Sequence, residues 1–129
     1  MLRKCPLVIL ILILVSLVPG CSNKKDLPGL AVLAYHQALI SGDYNQLANL
    51  SCNSWESQAK TDFDSFAAVN AVLQDAQCQS QTVEGNSAVV ACTGKIIANY
   101  GNEVLEIDLS AQTYQAEFEG GEWRMCGYR

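Results

Sequence analysis

No apolar run in this chain reaches the roughly 20 residues that a helix needs to cross ~30 Å of hydrocarbon. The longest, Leu7 to Val18, is twelve residues. Basic residues are scarce, eight Lys and Arg against thirteen Asp and Glu. Nucleic acid is therefore not an expected partner, because nothing can neutralise a row of phosphates. His36 is the only histidine, which leaves a histidine-based metal site without a second ligand. The six cysteines contain no Cys-x-x-Cys pair, and Cys52, Cys78, Cys92 and Cys126 are spaced by 26, 14 and 34 residues, unlike zinc ligands. Gly94-Lys95-Ile96-Ile97 lacks the glycine spacing of a phosphate loop. No metal or cofactor is expected. No carboxylate stands in an apolar stretch of the kind that would raise its pKa for catalysis.

What is present begins at the first residue. Arg3 and Lys4 form a basic head, Leu7–Val18 an apolar middle, and Val18-Pro19-Gly20-Cys21 a break with a small residue before a cysteine. These are the three parts of a secretory signal. The last four residues resemble the bacterial lipobox, although Pro19 departs from the small or hydroxylated residue usual there. The resemblance implies cleavage before Cys21 and diacylglycerol on its sulfur. The division expected is a signal over residues 1–20, a lipidated tether over 21–27 and one domain over 28–129. Cys5 would leave with the signal. Ser22-Asn23-Lys24-Lys25-Asp26 is too polar to order itself. From Cys21 onward, six basic residues face thirteen acids, a net charge of −7. Such a domain should stand off anionic lipid. The residue after Cys21 is serine, which by the same resemblance favours the outer membrane in a cell with two. An extracytoplasmic, lipid-anchored place in a bacterial envelope is thus expected. Four remaining cysteines in a small exported domain suggest two disulfides, with free buried thiols the alternative.

The domain reads in two halves. Pro28-Gly29 opens a helix whose Ala31, Ala34, Tyr35, Ala38 and Leu39 share one face. Gly42 suits its left-handed end and Asp43 the next N-cap. Tyr44–Leu50 is a short helix. Asn53 or Ser54 should cap a third, with Glu56 returning the bond, and Ala59, Phe63, Phe66, Ala67, Asn70 and Leu73 turned inward. From Ala76 the period becomes two: strands over 78–83, 88–99, 103–110, 112–119 and 122–128, joined by tight turns. Helices followed by an antiparallel meander give a segregated α+β domain.

Tyr35-His36-Gln37-Ala38-Leu39-Ile40-Ser41-Gly42-Asp43-Tyr44 resembles the signature of nuclear transport factor 2-like domains, and Gly121-Glu122-Trp123-Arg124-Met125 resembles their last strand. The match covers most of 28–129 and is close to small lipoprotein-borne members. It implies a cone, a curved antiparallel sheet wrapped around helices and open at one end. It also allows a homodimer through the sheet.

A three-residue loop at Glu84-Gly85-Asn86 would place Cys78 opposite Cys92 and leave Cys52 for Cys126. A two-residue loop would put Cys78 opposite Thr93. His36, one position past inward Tyr35, is expected at the boundary of its helix. Asp62, Asp64 and Asp108 are expected to face water. Tyr35, Trp55, Tyr114 and Trp123, with Phe118, are candidates to floor a pocket, or else plain core. The function expected is a binding or interaction module for a protein or small molecule. The alternative is a pocket enzyme of the ketosteroid isomerase or polyketide cyclase type, in which an acid would meet a Tyr or His in the cone.

Overall fold

Asp26 ends the tether and starts the first helix. The computed structural model describes residues 25–129. The signal, Cys21 and most of the tether lie outside the described residues. The Asp26 carboxylate accepts from the Gly29 N–H at 3.1 Å, which caps α1, Leu27–Ser41. It also accepts from the Ser80 N–H at 2.6 Å and from the Ser80 hydroxyl. A residue read as loose tether is therefore fastened to the sheet. Gly42, at φ 73°, ends α1 in the left-handed region. Asp43 caps α2, Tyr44–Asn49, by accepting from the Gln46 N–H at 3.0 Å.

The third helix begins differently from expectation. A short 3₁₀ turn over Asn53–Trp55 leads into α3, Glu56–Phe66, and neither Asn53 nor Ser54 caps it through a side chain. The Asn53 N–H donates instead to a Glu119 carboxylate oxygen at 3.0 Å. The helix also stops earlier. Asn70 and Leu73 belong to β1, Asn70–Glu84, where they pair with Asn99 and Ile96. Phe66, Ala67, Asn70 and Leu73 match a helical period by coincidence, and a ladder with a long neighbour outweighs so short a signal.

The remaining strands are β2, Ser87–Asn99, β3, Val104–Asp108, β4, Thr113–Glu119, and β5, Glu122–Tyr128. The antiparallel order is β1-β2-β4-β5, with β3 also beside β2. β4 takes the first half of β2 and β3 the second. A 3₁₀ turn, Leu109–Ala111, interrupts them, bridged by the Tyr114 hydroxyl donating to the Leu109 carbonyl at 3.0 Å.

Three irregularities align across the sheet at this break. β1 bulges between Gln74 and Gln77, with Asp75 at φ 52°. Gly94 in β2 sits at φ 91°, and a Cβ there would lie 2.5 Å from the Asp75 carbonyl oxygen. The 3₁₀ turn is the third. Bulges bend a strand and increase its twist, so the sheet folds along this line around α1. Val32, Tyr35, Ala38 and Leu39 of α1 pack there against Val90, Cys92, Ile96, Tyr114 and Met125.

Both disulfides pair as expected, Cys52 with Cys126 and Cys78 with Cys92. The route to the second differs. The hairpin loop has two residues, Gly85 and Asn86, with Glu84 opposite Ser87. That register would have set Cys78 against Thr93. A second bulge between Ser80 and Thr82 shifts the pairing by one and brings Cys78 opposite Cys92, with Cα atoms 4.1 Å apart. The Cys52–Cys126 bond fastens the helical layer to β5, beside the Cys52 N–H donating to the Met125 carbonyl at 2.9 Å.

Candidate functional site

The bend leaves a cavity of about 290 Å³ between α1, α3 and the sheet. Leu39, Phe66, Ile96, Ile107 and Leu109 supply apolar walls, and Tyr114 and Tyr128 close one side. His36 and Asp62 reach it from α1 and α3, and Asp108 stands at its edge. No lysine or arginine lines it.

His36 corrects its expected boundary position, for it is almost completely buried. The bent sheet encloses α1 on two sides, so the buried stripe widens to include Ala31, Val32, Tyr35, His36, Ala38 and Leu39, and an amphipathic estimate of one face falls short. Its ring meets Tyr114 edge-on at 5.0 Å and Tyr35 at 5.8 Å. Neither ring nitrogen has a hydrogen-bond partner. Burial pushes the imidazole from its ordinary 6.5 down to about 4, against the pull of the Asp62 charge. At neutral pH it is an uncharged ring with one idle donor and one idle acceptor.

Asp62 also departs from its expected solvent-facing position. The Tyr35 hydroxyl donates to its Oδ2 at 3.0 Å and the Tyr128 hydroxyl to the same oxygen at 2.5 Å, while Gln58 Nε2 donates to Oδ1 at 3.0 Å. Trp55 Nε1 in turn donates to the Tyr35 hydroxyl at 3.2 Å. Burial, then the Asp62 carboxylate, raises both phenols well above their usual range, so both hydroxyls keep their protons. Asp64 does face water, paired with Lys60 at 2.9 Å. Asp108 is exposed and accepts from the Ser110 N–H and hydroxyl, which hold its carboxyl below the ordinary range.

Of the expected pocket residues only Tyr114 lines this cavity, with Tyr128 beside it. Tyr35 and Trp55 do not line it but join the Asp62 hydrogen-bond cluster behind it, where the Tyr128 ring meets Trp55 edge-on at 5.0 Å. Trp123 does not join them. It stacks edge-on with Phe118 at 5.6 Å in a separate groove near the start of α1. The hydrogen-bonding roles of Asp62 and Tyr128 were not visible in the sequence. Asp62 lies in a polar stretch of α3, and Tyr128 faces Tyr114 only through a register shift after Gln115.

No family model and no curated protein matches the chain. Solved structures do. One is a protein of the nuclear transport factor 2-like family from Streptomyces avermitilis, named a dehydratase. It is 17% identical, with a TM-score of 0.51 over 74% of this chain and 86% of that one. The fold is the nuclear transport factor 2-like cone. A SEC-C motif containing protein from Rhodopseudomonas palustris superposes with a TM-score of 0.55 at 7% identity, over 81% of this chain and 80% of that one. A nuclear transport factor 2-like protein with a cystatin-like fold from Novosphingobium aromaticivorans is 14% identical, with a TM-score of 0.49 over 78% of this chain and 76% of that one. At these identities the likeness concerns the cone alone. Within the cone, the cavity lies on the concave side of the sheet bend. Among the described residues no group of three or more His, Cys, Asp or Glu could hold a metal ion, and no helix is long and apolar enough to cross a membrane.

Proposed function

We propose that this chain is a lipid-anchored binding domain of the bacterial cell envelope, whose cone takes a small, mostly apolar molecule against His36. The observation that carries the binding role is the His36 ring, buried at the cavity with both nitrogens unpartnered. Leaving a buried polar group unpaired costs about 1–3 kcal/mol, a cost that a ligand hydroxyl, carbonyl or amide would remove. The walls are apolar, and the charges at the cavity are the carboxylates of Asp62 and Asp108. A neutral or cationic ligand fits this lining better than a carboxylate. The order Val18-Pro19-Gly20-Cys21 after an apolar run supports the anchor.

Thermal-shift and calorimetric titration of the protein with paired small amphiphiles tests the binding role. An alcohol or amine should stabilise it and the matching carboxylate should not. His36→Phe should abolish the response while the fold persists. Equal binding by His36→Phe would refute the reading. Cys21→Ala should release the chain from the membrane fraction, and full retention would refute the anchor.

The Asp62 cluster favours a second reading, an enzyme of the isomerase or cyclase type, because it sets a carboxylate beside two tyrosines at the cavity. Its oxygens already accept three hydrogen bonds, whereas a general base works best with its carboxylate among apolar groups. Proton exchange at the α-carbon of a cyclic ketone, lost in Asp62→Asn, would support this reading over simple binding.

A further inference from the structure

Among the described residues, three of the ten exposed large apolar or aromatic side chains lie together, and the other seven lie outside their groove. Leu27, Leu30 and Phe118 are 53%, 49% and 42% exposed and border one groove of about 350 Å³. Trp123, Leu50 and Ala31 complete its apolar lining, and Glu122 is its one charged residue. Single exposed apolar residues are ordinary, but a contiguous group of this kind marks an interaction surface.

The geometry points to this groove as the face by which the domain rests on the lipid bilayer, an inference that depends on the anchor proposed at Cys21. The length of chain before the groove selects the occupant. Leu27 borders the groove and lies six residues after Cys21, and six residues extend at most about 20 Å. Any bilayer holding the Cys21 acyl chains therefore lies within reach of the groove. The side chains suit a membrane interface, with Trp123 and Phe118 able to sit at headgroup level and Leu27 and Leu30 to enter the acyl boundary. Lys24 and Lys25, at the end of the tether, can meet headgroup phosphates. The net charge of −7 beyond the signal makes zwitterionic lipid the better surface, since anionic lipid would repel the remainder of the domain. The domain would then lie on neutral lipid, where charge alone suggested that it stands clear. His36 follows Leu27 by nine residues on α1, about 14 Å along the helix axis. The cavity at His36 shares no lining residue with the groove.

The test uses the full lipidated chain in phosphatidylcholine vesicles whose acyl chains carry bromine. Trp55→Phe leaves Trp123 as the single tryptophan of the two. Its emission should be quenched at least two-fold relative to unbrominated vesicles. Trp55 in the companion Trp123→Phe should be unaffected. Carbene footprinting of the unmutated protein covers the case in which a tryptophan variant fails to fold. Labelling of Leu30 and Phe118 should fall several-fold on vesicles compared with soluble Cys21→Ala. Acylated Cys21, seen by mass spectrometry, with Trp123 unquenched and Leu30 fully labelled would overturn the bilayer face and leave the anchor standing. An unmodified Cys21 would remove both. Concentration-dependent protection of the groove in soluble Cys21→Ala would assign it to a second copy and overturn the lipid reading.

Discussion

A buried imidazole with two idle nitrogens makes this protein sensitive to acid. The folded-state value of His36 is depressed, from 6.5 to about 4, so the unfolded chain binds a proton across that interval that the native protein refuses. The stabilisation from keeping the ring neutral is present above pH 6.5. It is lost as the pH falls through about 4, and over the whole window it is worth about 3 kcal/mol. Urea unfolding measured between pH 7 and pH 4 should show this decline. In His36→Phe the decline should flatten, and stability at neutral pH should rise by about 1–2 kcal/mol because no polar group is left unpaired. Asp62 acts in the opposite sense. The Tyr35 hydroxyl is fully buried and donates to it. Asp62→Ala should therefore cost about 1–3 kcal/mol, whereas Asp62→Asn, which keeps an acceptor oxygen, should cost less. Denaturant midpoints of the two variants give the comparison. Neither environment could be read from single residues. The positions of His36 and Asp62 on their helices suggested boundary and surface; the closing of the sheet around α1 buries His36, and tyrosines from α1 and β5 reach the half-buried Asp62.

At the level of elements, the bend in the sheet depends on Gly94. Its φ of 91° is left-handed, and a methyl group there would press on the carbonyls of Gln74 and Asp75 at 2.6 and 2.5 Å. Gly101 has a similar φ of 94° but open space around it. Gly101→Ala should cost about 1 kcal/mol from strain alone, and Gly94→Ala at least about 3 kcal/mol, because backbone must also move. Calorimetric melting would rank them. Alternation of apolar and charged residues made β3 and β4 legible, the hairpin turn marked β2 and the second half of β1, and Gly42 and Asp43 marked the break between the first two helices, while the first half of β1 was read in part as helix. The bulges were hidden. A bulge is one residue without a partner, and nothing in Gln81 or in Asp75-Ala76 distinguishes it from its neighbours. The disulfide between Cys78 and Cys92 was thus foreseen by way of a loop that does not form, and the second bulge restored the register.

For the whole molecule, the two disulfides staple different things. Cys78–Cys92 spans 14 residues within one hairpin, and Cys52–Cys126 spans 74 and joins helices to the last strand. In the chain-entropy treatment the shorter loop is worth about 3 kcal/mol and the longer about 4 kcal/mol. Replacing Cys52 and Cys126 together by alanine should therefore lower the unfolding free energy more than replacing the other pair, as guanidinium titration of the two double variants would show. The overall plan was legible because the order of helical and strand periods is a property of the entire chain, and the spacing of Tyr35 to Tyr44 and Gly121 to Met125 fits the cone. The location of Trp123 was not, since it sits at the hairpin end of β5 opposite Phe118, in the groove beside Leu27. The clamp between Asp26 and Ser80 carries a mechanical consequence. A pull on the tether arrives at Asp26, where hydrogen bonds from Gly29 and Ser80 pass the load directly into a fifteen-residue edge strand. Were the chain held at Cys21 as proposed, the ladder of β1 with β2 would share such a load, and α1 would not bear it alone.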